Sequence, residues 1–472
     1  MDKSMKPNFN FVNLTHPDEL KEEQMQLYIR RLAMTEVGRK RRKPRTKRAR
    51  NEIILEFHSP ARRQGTIPDF DRFGGGEVDP FTAYPIDLDK SSRALVANIF
   101  RQNGNHCRQL RGSWWPVGLY DAAAFHNVLS NSRLFILMFH AGSYVSEDDS
   151  ESLFHHTTAL QLVNEKLKDP AHHKSDELIG TVCSFMCHEY IIGKYGRFNE
   201  HRDALMKIIE LKGGIDAITR EELRITVSWC DLVGSFPQDI PPKIPLPKKW
   251  QNDSRSPPGS PRPFNTISHL WKQQLPMEMS WISIFDDIAH LISLDRAFTP
   301  VQFEAAFTVG SWVEPTLVRL LVLRPLEGSK TRIKIIEEVC RLGTLLFLGR
   351  VWRWMGASPV RTLAFVSNLL RILNDRTYMV EWRELKPLLL WTLYCAATEA
   401  TDMVERHQLL FMLAMLMKGM ELTTWEKLME VVRGVLWAKQ VFGDCEHDIR
   451  DELMSFITEP WTGKDLVSEN GA

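Results

Sequence analysis

Apolar residues recur three and four positions apart through most of this 472-residue chain, the spacing of one face of an α-helix. The pattern is clearest between residues 178 and 214. Leu178, Val182, Phe185, Met186 and Ile191 make one apolar stripe; Phe198, Leu205, Ile208 and Ile209 make a second. The glycines at 193 and 196 interrupt the run, so the stretch predicts two amphipathic helices joined over 193–196, a helical hairpin. Gly213 and Gly214 suit a helix end where the backbone turns left-handed, with Ile215 placed to fold back on the last turn. The same period predicts a helix capped by Asp89 or Ser91, a long apolar helix over 118–140, one over 153–168 that Asp169-Pro170 ends, and one over 220–233. Nine prolines in residues 236–263 remove too many backbone donors for a helix and predict a loop. Helical spacing then resumes over 264–460, where tryptophans supply large surfaces to bury. No strand-like alternation of useful length interrupts it. The expected fold is all-α: a two-lobed helical array with a first lobe over 80–235, the Pro-rich inter-lobe loop over 236–263, and a second lobe over 264–460. Residues 1–79 are expected to form a basic, disordered arm with a flexible connector, and 461–472 a tail.

Charge changes this picture at one end. The formal charge of +1 hides an excess of +8 in residues 1–50, which hold 14 Lys/Arg against 6 Asp/Glu, leaving −7 for the rest. Nine of those cations fall in twelve positions: Arg39, Lys40, Arg41, Arg42, Lys43, Arg45, Lys47, Arg48 and Arg50. A run this dense repels itself and favours disorder. It is also the composition of a nuclear import signal, and it suits weak, sequence-independent attraction to nucleic-acid phosphates. Import leads, because no base-reading element lies nearby, and the expected localisation is the nucleus. The most apolar uncharged windows, 342–349 and 387–398, are 8 and 12 residues long and fall short of the roughly 18–20 a membrane span needs, so no membrane partner is expected. Seven scattered cysteines without framework spacing point to reduced thiols.

Three blocks resemble a known family. Phe198, His201, Ala204, Leu205, Ile209, Leu211, Gly213 and Gly214 resemble the xxHxxALxxIIxLxGG signature of the fungal-specific transcription factor domain. Asp79-Pro80-Phe81 with Tyr84-Pro85-Ile86 resembles the start of that domain. Trp391, Glu405-Arg406, Leu409, Leu413, Trp425 and Leu436-Trp437 follow the order of its C-terminal signature. A lead-in segment, FVNLTHPDEL then IRRLAMTEVGRKRRK, resembles one found ahead of members without a zinc cluster. The resemblance covers about 80–440 and implies a helical regulatory domain of the kind that accompanies binuclear zinc-cluster DNA-binding modules in filamentous fungi. His201, Leu205, Gly213, Gly214, Trp391, Glu405, Arg406, Trp425 and Trp437 would then be structural signature residues, and transcription factors, co-regulators and an import receptor the partners.

The chemistry of the chain fits no enzyme motif. A binuclear cluster needs six closely spaced thiolates, and no cysteine precedes Cys107, so base reading is expected to come from a partner. Cys183, Cys187 and His188, with the pairs His155-His156 and His172-His173, are a conceivable ligand set, but buried structural roles are favoured and no metal or cofactor is expected. There is no Gly-x-Ser-x-Gly elbow, and the pairs Asp148-Asp149 and Asp286-Asp287 read as solvated faces. The sequence-based expectation is a non-enzymatic regulator acting through protein contacts. The alternatives are a metabolite-sensing helical protein, which needs an enclosed pocket with converging polar groups, or an enzyme with no recognisable motif.

Overall fold

The computed structural model describes residues 84–100, 114–247, 279–294, 313–328, 330–443 and 449–458. The basic run 39–50 and residues 248–263 of the expected loop lie outside them. Among the described residues every regular element is a helix and no strand occurs. In chain order these are α1 (Lys90–Ile99), α2 (Trp115–Gly118), α3 (Ala122–Ala141), α4 (Ser150–Lys166), α5 (Asp176–Ile192), α6 (Tyr195–Lys212) and α7 (Glu221–Ser235). There follow α8 (Ser280–Leu294), α9 (Val313–Val322), α10 (Arg332–Trp354), α11 (Leu363–Asn374) and α12 (Lys386–Glu399). The series ends with α13 (Met403–Gly419), α14 (Trp425–Val435), α15 (Lys439–Phe442) and α16 (Arg450–Thr458).

Local chemistry sets the helix ends. The Asp89 carboxylate accepts from the Ser92 amide at 2.7 Å and starts α1. Asp149 and Ser152 exchange side-chain and backbone bonds in a capping box at α4, and Ser175 Oγ takes the Leu178 amide at α5, each filling a donor the helix cannot satisfy itself. The connection between α5 and α6 is shorter than the 193–196 break expected from the glycine spacing, since Gly196 already lies inside α6. One left-handed residue is enough: at φ +75° Gly193 lets its own amide reach Tyr190 O and the Lys194 amide reach Glu189 O. At the other end of α6, Gly213 and Gly214 sit at φ +108° and +95°, and their amides bond Glu210 O and Ile209 O. Both turns are of the kind in which a glycine absorbs the left-handed step.

Helix α5 is the axis of the first part of the chain. Although its sequence reads as amphipathic, it is buried on nearly every side, because α2, α3, α6 and α7 all pack on it; a helix covered all round is the mark of a core element. Close approach is steric in origin. The Phe198 ring of α6 lies on Gly234 of α7, where a Cβ would stand 1.9 Å from the ring. In the later part the 23-residue α10 plays the same role, with α9, α11 and α12 against it, α12 in turn carrying α13 and α14. Among the described residues one apolar cluster takes in side chains from Leu95 to Leu453.

Two polar junctions tie early and late residues together. Residues 236–238 form a short 3-10 turn that ends at Asp239, a non-glycine residue at φ +52°. The Asp239 carboxylate accepts from Arg341 Nη1 and Nη2 (2.8 and 2.9 Å), from Arg324 Nη1 (3.0 Å) and from Asn368 Nδ2 (3.1 Å). Arg341 also forks onto Glu338 at 2.6 and 2.8 Å, so the buried guanidinium meets two carboxylates. At the second junction Arg361 donates to Tyr190 O at 2.8 Å and Ile191 O at 2.6 Å. Both are last-turn carbonyls of α5, and Tyr190 O also accepts the Gly193 amide.

Candidate functional site

The signature residues fall into two packed groups. His201 and Leu205 lie on α6, Leu205 fully buried and His201 stacked on Phe185 with ring centres 5.4 Å apart. Burial pushes the His201 imidazole below its ordinary pKa, which fits a packed ring better than a base. The second group belongs to the later helices: Trp391 donates its indole N–H to Leu436 O at 3.0 Å, and the rings of Trp425 and Trp437 stand 6.3 and 6.2 Å from Tyr394. Glu405 accepts from Ser367 at 2.6 Å, while Arg406 pairs with Glu452 of α16 at 2.8 Å. Seven of these positions pack or bond between elements, while Gly213 and Gly214 only end α6 by bonding its own carbonyls.

A buried histidine cluster is the densest titratable feature among the described residues. His188 is wholly buried on α5; its Nε2 lies 3.2 Å from Asp148 Oδ2, and its Nδ1 lies 3.3 Å from both Asn131 Oδ1 and Ser130 Oγ. The His156 ring stacks on it at 3.9 Å and bonds Asn127 through Nδ1 at 3.1 Å. Burial, reinforced by its neighbour His188, lowers the His156 pKa to about 3. Beside them His126 and His155 face each other Nδ1 to Nδ1 at 3.0 Å, and burial followed by repulsion from His155 brings His126 to about 4. Burial raises Asp148, but bonds and charge from His188 outweigh it and hold the carboxyl below its usual range. Burial lifts Glu189, next in the chain, despite the Arg197 guanidinium 3.2 Å away. Asp148 and His188 therefore meet inside the fold, where the sequence had suggested a solvated acidic pair.

The conceivable metal set does not assemble as its spacing suggested. Cys187 Sγ instead faces Cys230 Sγ of α7 at 3.2 Å, His156 is committed to Asn127 and His188, and His172 and His173 lie exposed in a 3-10 turn after α4. Among the described residues no group of three or more His, Cys, Asp or Glu side chains is arranged to hold a metal ion. Burial pushes the Cys187 thiol up to about 11 and raises Cys183 and Cys230 as well, so these sulfurs behave as small apolar groups. No helix among the described residues is long and apolar enough to cross a membrane.

The surface offers a different kind of site. An open groove of about 780 Å³ runs along α6 and is floored by Met206, Ile209, Ile215, Ile244 and Pro245. One wall is the α6 face that ends in the Gly213-Gly214 turn. The other is the extended segment 243–245, held in place because the buried Asp231 carboxylate accepts the amides of Lys243 and Ile244, both at 2.6 Å. Lys243 bridges to Asp203 at 2.6 Å across one end of the groove, and Lys207 and Glu210 line its α6 edge. A second, smaller cavity of about 150 Å³ is lined by Ile335, Val339, Ile372 and their apolar neighbours and offers no polar side chain for orienting a metabolite beyond the Trp382 indole. Sequence reasoning anticipated protein contacts but could not place a surface for them, because Ile244 and Pro245 come from the stretch that reads only as loop.

No family model, curated protein or solved structure matches the chain.

Proposed function

We propose that this chain is a non-catalytic nuclear regulator that works through protein contacts, similar to the regulatory half of fungal transcription factors and dependent on a partner for base reading. The observation that carries the reading is the groove. The segment resembling the family signature ends in the Gly213-Gly214 turn, and that turn and the two turns of α6 before it form one wall of an open, mostly apolar surface. Exposed apolar surface bounded by charged residues is what a protein partner needs and what a reaction centre does not. The histidine cluster fits the same reading: each of His126, His156 and His188 is spent on another side chain, leaving them to fix helices α3, α4 and α5 against one another.

Arg39–Arg50 supplies the import step in this proposal. Replacing Arg41, Arg42 and Lys43 by alanine in a fluorescent fusion of the full chain should reduce the nuclear-to-cytoplasmic ratio severalfold in live-cell imaging. Undiminished nuclear accumulation removes the import role. Binding to random duplex DNA at two salt concentrations separates phosphate attraction, which weakens steeply with salt, from its absence.

A further inference from the structure

We infer that the groove beside α6 receives an amphipathic helix of a partner protein, seated by apolar anchors and oriented by opposite charges facing Lys207 and Glu210. The inference rests on the protein-contact reading and adds to it the form of the partner.

The walls decide that form. An extended peptide binds a sheet edge or an open backbone by taking up free N–H and C=O groups. The segment Pro241-Pro242-Lys243-Ile244-Pro245 has little to give: three of its residues are prolines without an N–H, and the amides of Lys243 and Ile244 are both committed to Asp231. Its Pro245 carbonyl already accepts from Ser228 at 2.8 Å. The opposite wall is an α-helix, whose backbone groups are satisfied internally. Binding must therefore go through side chains, the mode in which an amphipathic helix lays one face into a groove with anchors at i, i+3 or i+4, and i+7.

Length and charge agree with this. Asp203 to Lys212 on α6 spans about 14 Å at 1.5 Å per residue, between two and three helical turns, so the groove matches two to three turns of a partner helix. The charges on its α6 edge are uneven. Asp203 is bonded to Lys243, whereas Lys207 and Glu210 form no salt bridge with another described residue. A partner with an acidic residue opposite Lys207 and a basic residue about one turn away opposite Glu210 satisfies both and fixes its direction along α6. The basic residue also lies toward the carbonyl end of α6, where the helix dipole favours a cation. Leu211, 68% exposed and one turn beyond Lys207, extends the apolar contact on the outer flank.

The test uses the full chain with the exposed Leu211 replaced by a benzophenone amino acid, which leaves Lys207 and Glu210 in place, irradiated in cells, with the adduct mapped by mass spectrometry. The expected adduct lies in a partner segment whose apolar residues recur with helical period. A synthetic peptide of that segment should bind the purified full chain in fluorescence anisotropy. Lys207→Glu and Glu210→Lys, both exposed changes, should each weaken it about ten-fold, equivalent to about 1.4 kcal/mol. Reversing the facing charge in the peptide should restore most of the loss, which a folding defect would not allow. An adduct within residues 248–278 of this same chain, an adduct in a segment without helical period, or no adduct overturns the inference. Nuclear accumulation is read separately by imaging, so failure of the helix-in-groove contact is distinguishable from failure of the broader reading.

Discussion

Gly234 is the position at which one methyl group should matter most. In an ordinary helix interior, glycine to alanine gains about 1 kcal/mol of helix propensity, and Gly234 sits within α7. The added Cβ would meet three ring carbons of Phe198 at 1.9, 2.2 and 2.4 Å, against an ordinary contact of roughly 3.5–4.0 Å. The ring must retreat by more than an ångström, yet Phe198 is fully buried in a close-packed interior. Overpacking of this kind costs about 1–3 kcal/mol or more. We expect the clash to outweigh the propensity gain, so that Gly234→Ala destabilises by ~1–2 kcal/mol net. Phe198→Leu removes the obstructing ring; by itself it is destabilising, but in that background Gly234→Ala should be neutral or stabilising. Urea unfolding, followed by far-UV circular dichroism at fixed temperature, gives all four corners of the cycle. If Gly234→Ala stabilises the wild-type chain as it would an exposed helix, or if its penalty is the same with leucine at 198, the steric reasoning is wrong.

Two further outcomes follow from the buried charges and rings. Asp239→Ala strands the Arg341 guanidinium, 1% exposed, with only Glu338 for charge, and should cost about 3–5 kcal/mol; Asp239→Asn, which tolerates the same left-handed backbone, should cost less, and equal losses of under ~0.5 kcal/mol for both in urea melts would contradict the junction. Histidines held below their ordinary pKa by burial make the fold acid-sensitive: their contribution is complete above about pH 6.5 and is lost as pH falls toward the folded values, about 4 for His126 and about 3 for His156. Each removes at most ~1.4 kcal/mol per pH unit in that interval, so the urea midpoint should drop between pH 7.5 and 5.5. A flat midpoint there would show that these rings are solvated.

Helix ends were the most legible part of the fold, because they are set by neighbours in sequence. Asp89, the Gly213-Gly214 pair and the helical spacing on either side of residue 193 announced α1, α5 and α6 within a few residues. Gly196 misled because a surface glycine inside a helix carries the same letter as one that ends it; only the backbone angle at Gly193 separates them. Burial of polar residues was illegible for another reason. His188 and Glu189 lie on a helix that packing covers on all sides, and how many neighbours a helix acquires is a property of the assembled chain. The Asp239 junction joins residues 102 positions apart, beyond any window of periodicity. The groove was half legible: α6 could be drawn from its apolar stripe, while its other wall depends on Asp231 reaching twelve and thirteen residues forward.

Arg361 carries an implication for how the polypeptide is made. The carbonyls it caps at the end of α5 belong to residues 170 and 171 positions earlier, so at a synthesis rate of about 5–20 residues per second the nascent α5 is finished roughly 10–30 seconds before its closing guanidinium leaves the ribosome. During that interval the Tyr190 carbonyl has the Gly193 amide, while the Ile191 carbonyl waits for its guanidinium donor. Shortened products that stop ahead of residue 361 should therefore exchange the amides at the end of α5 faster than the full chain does.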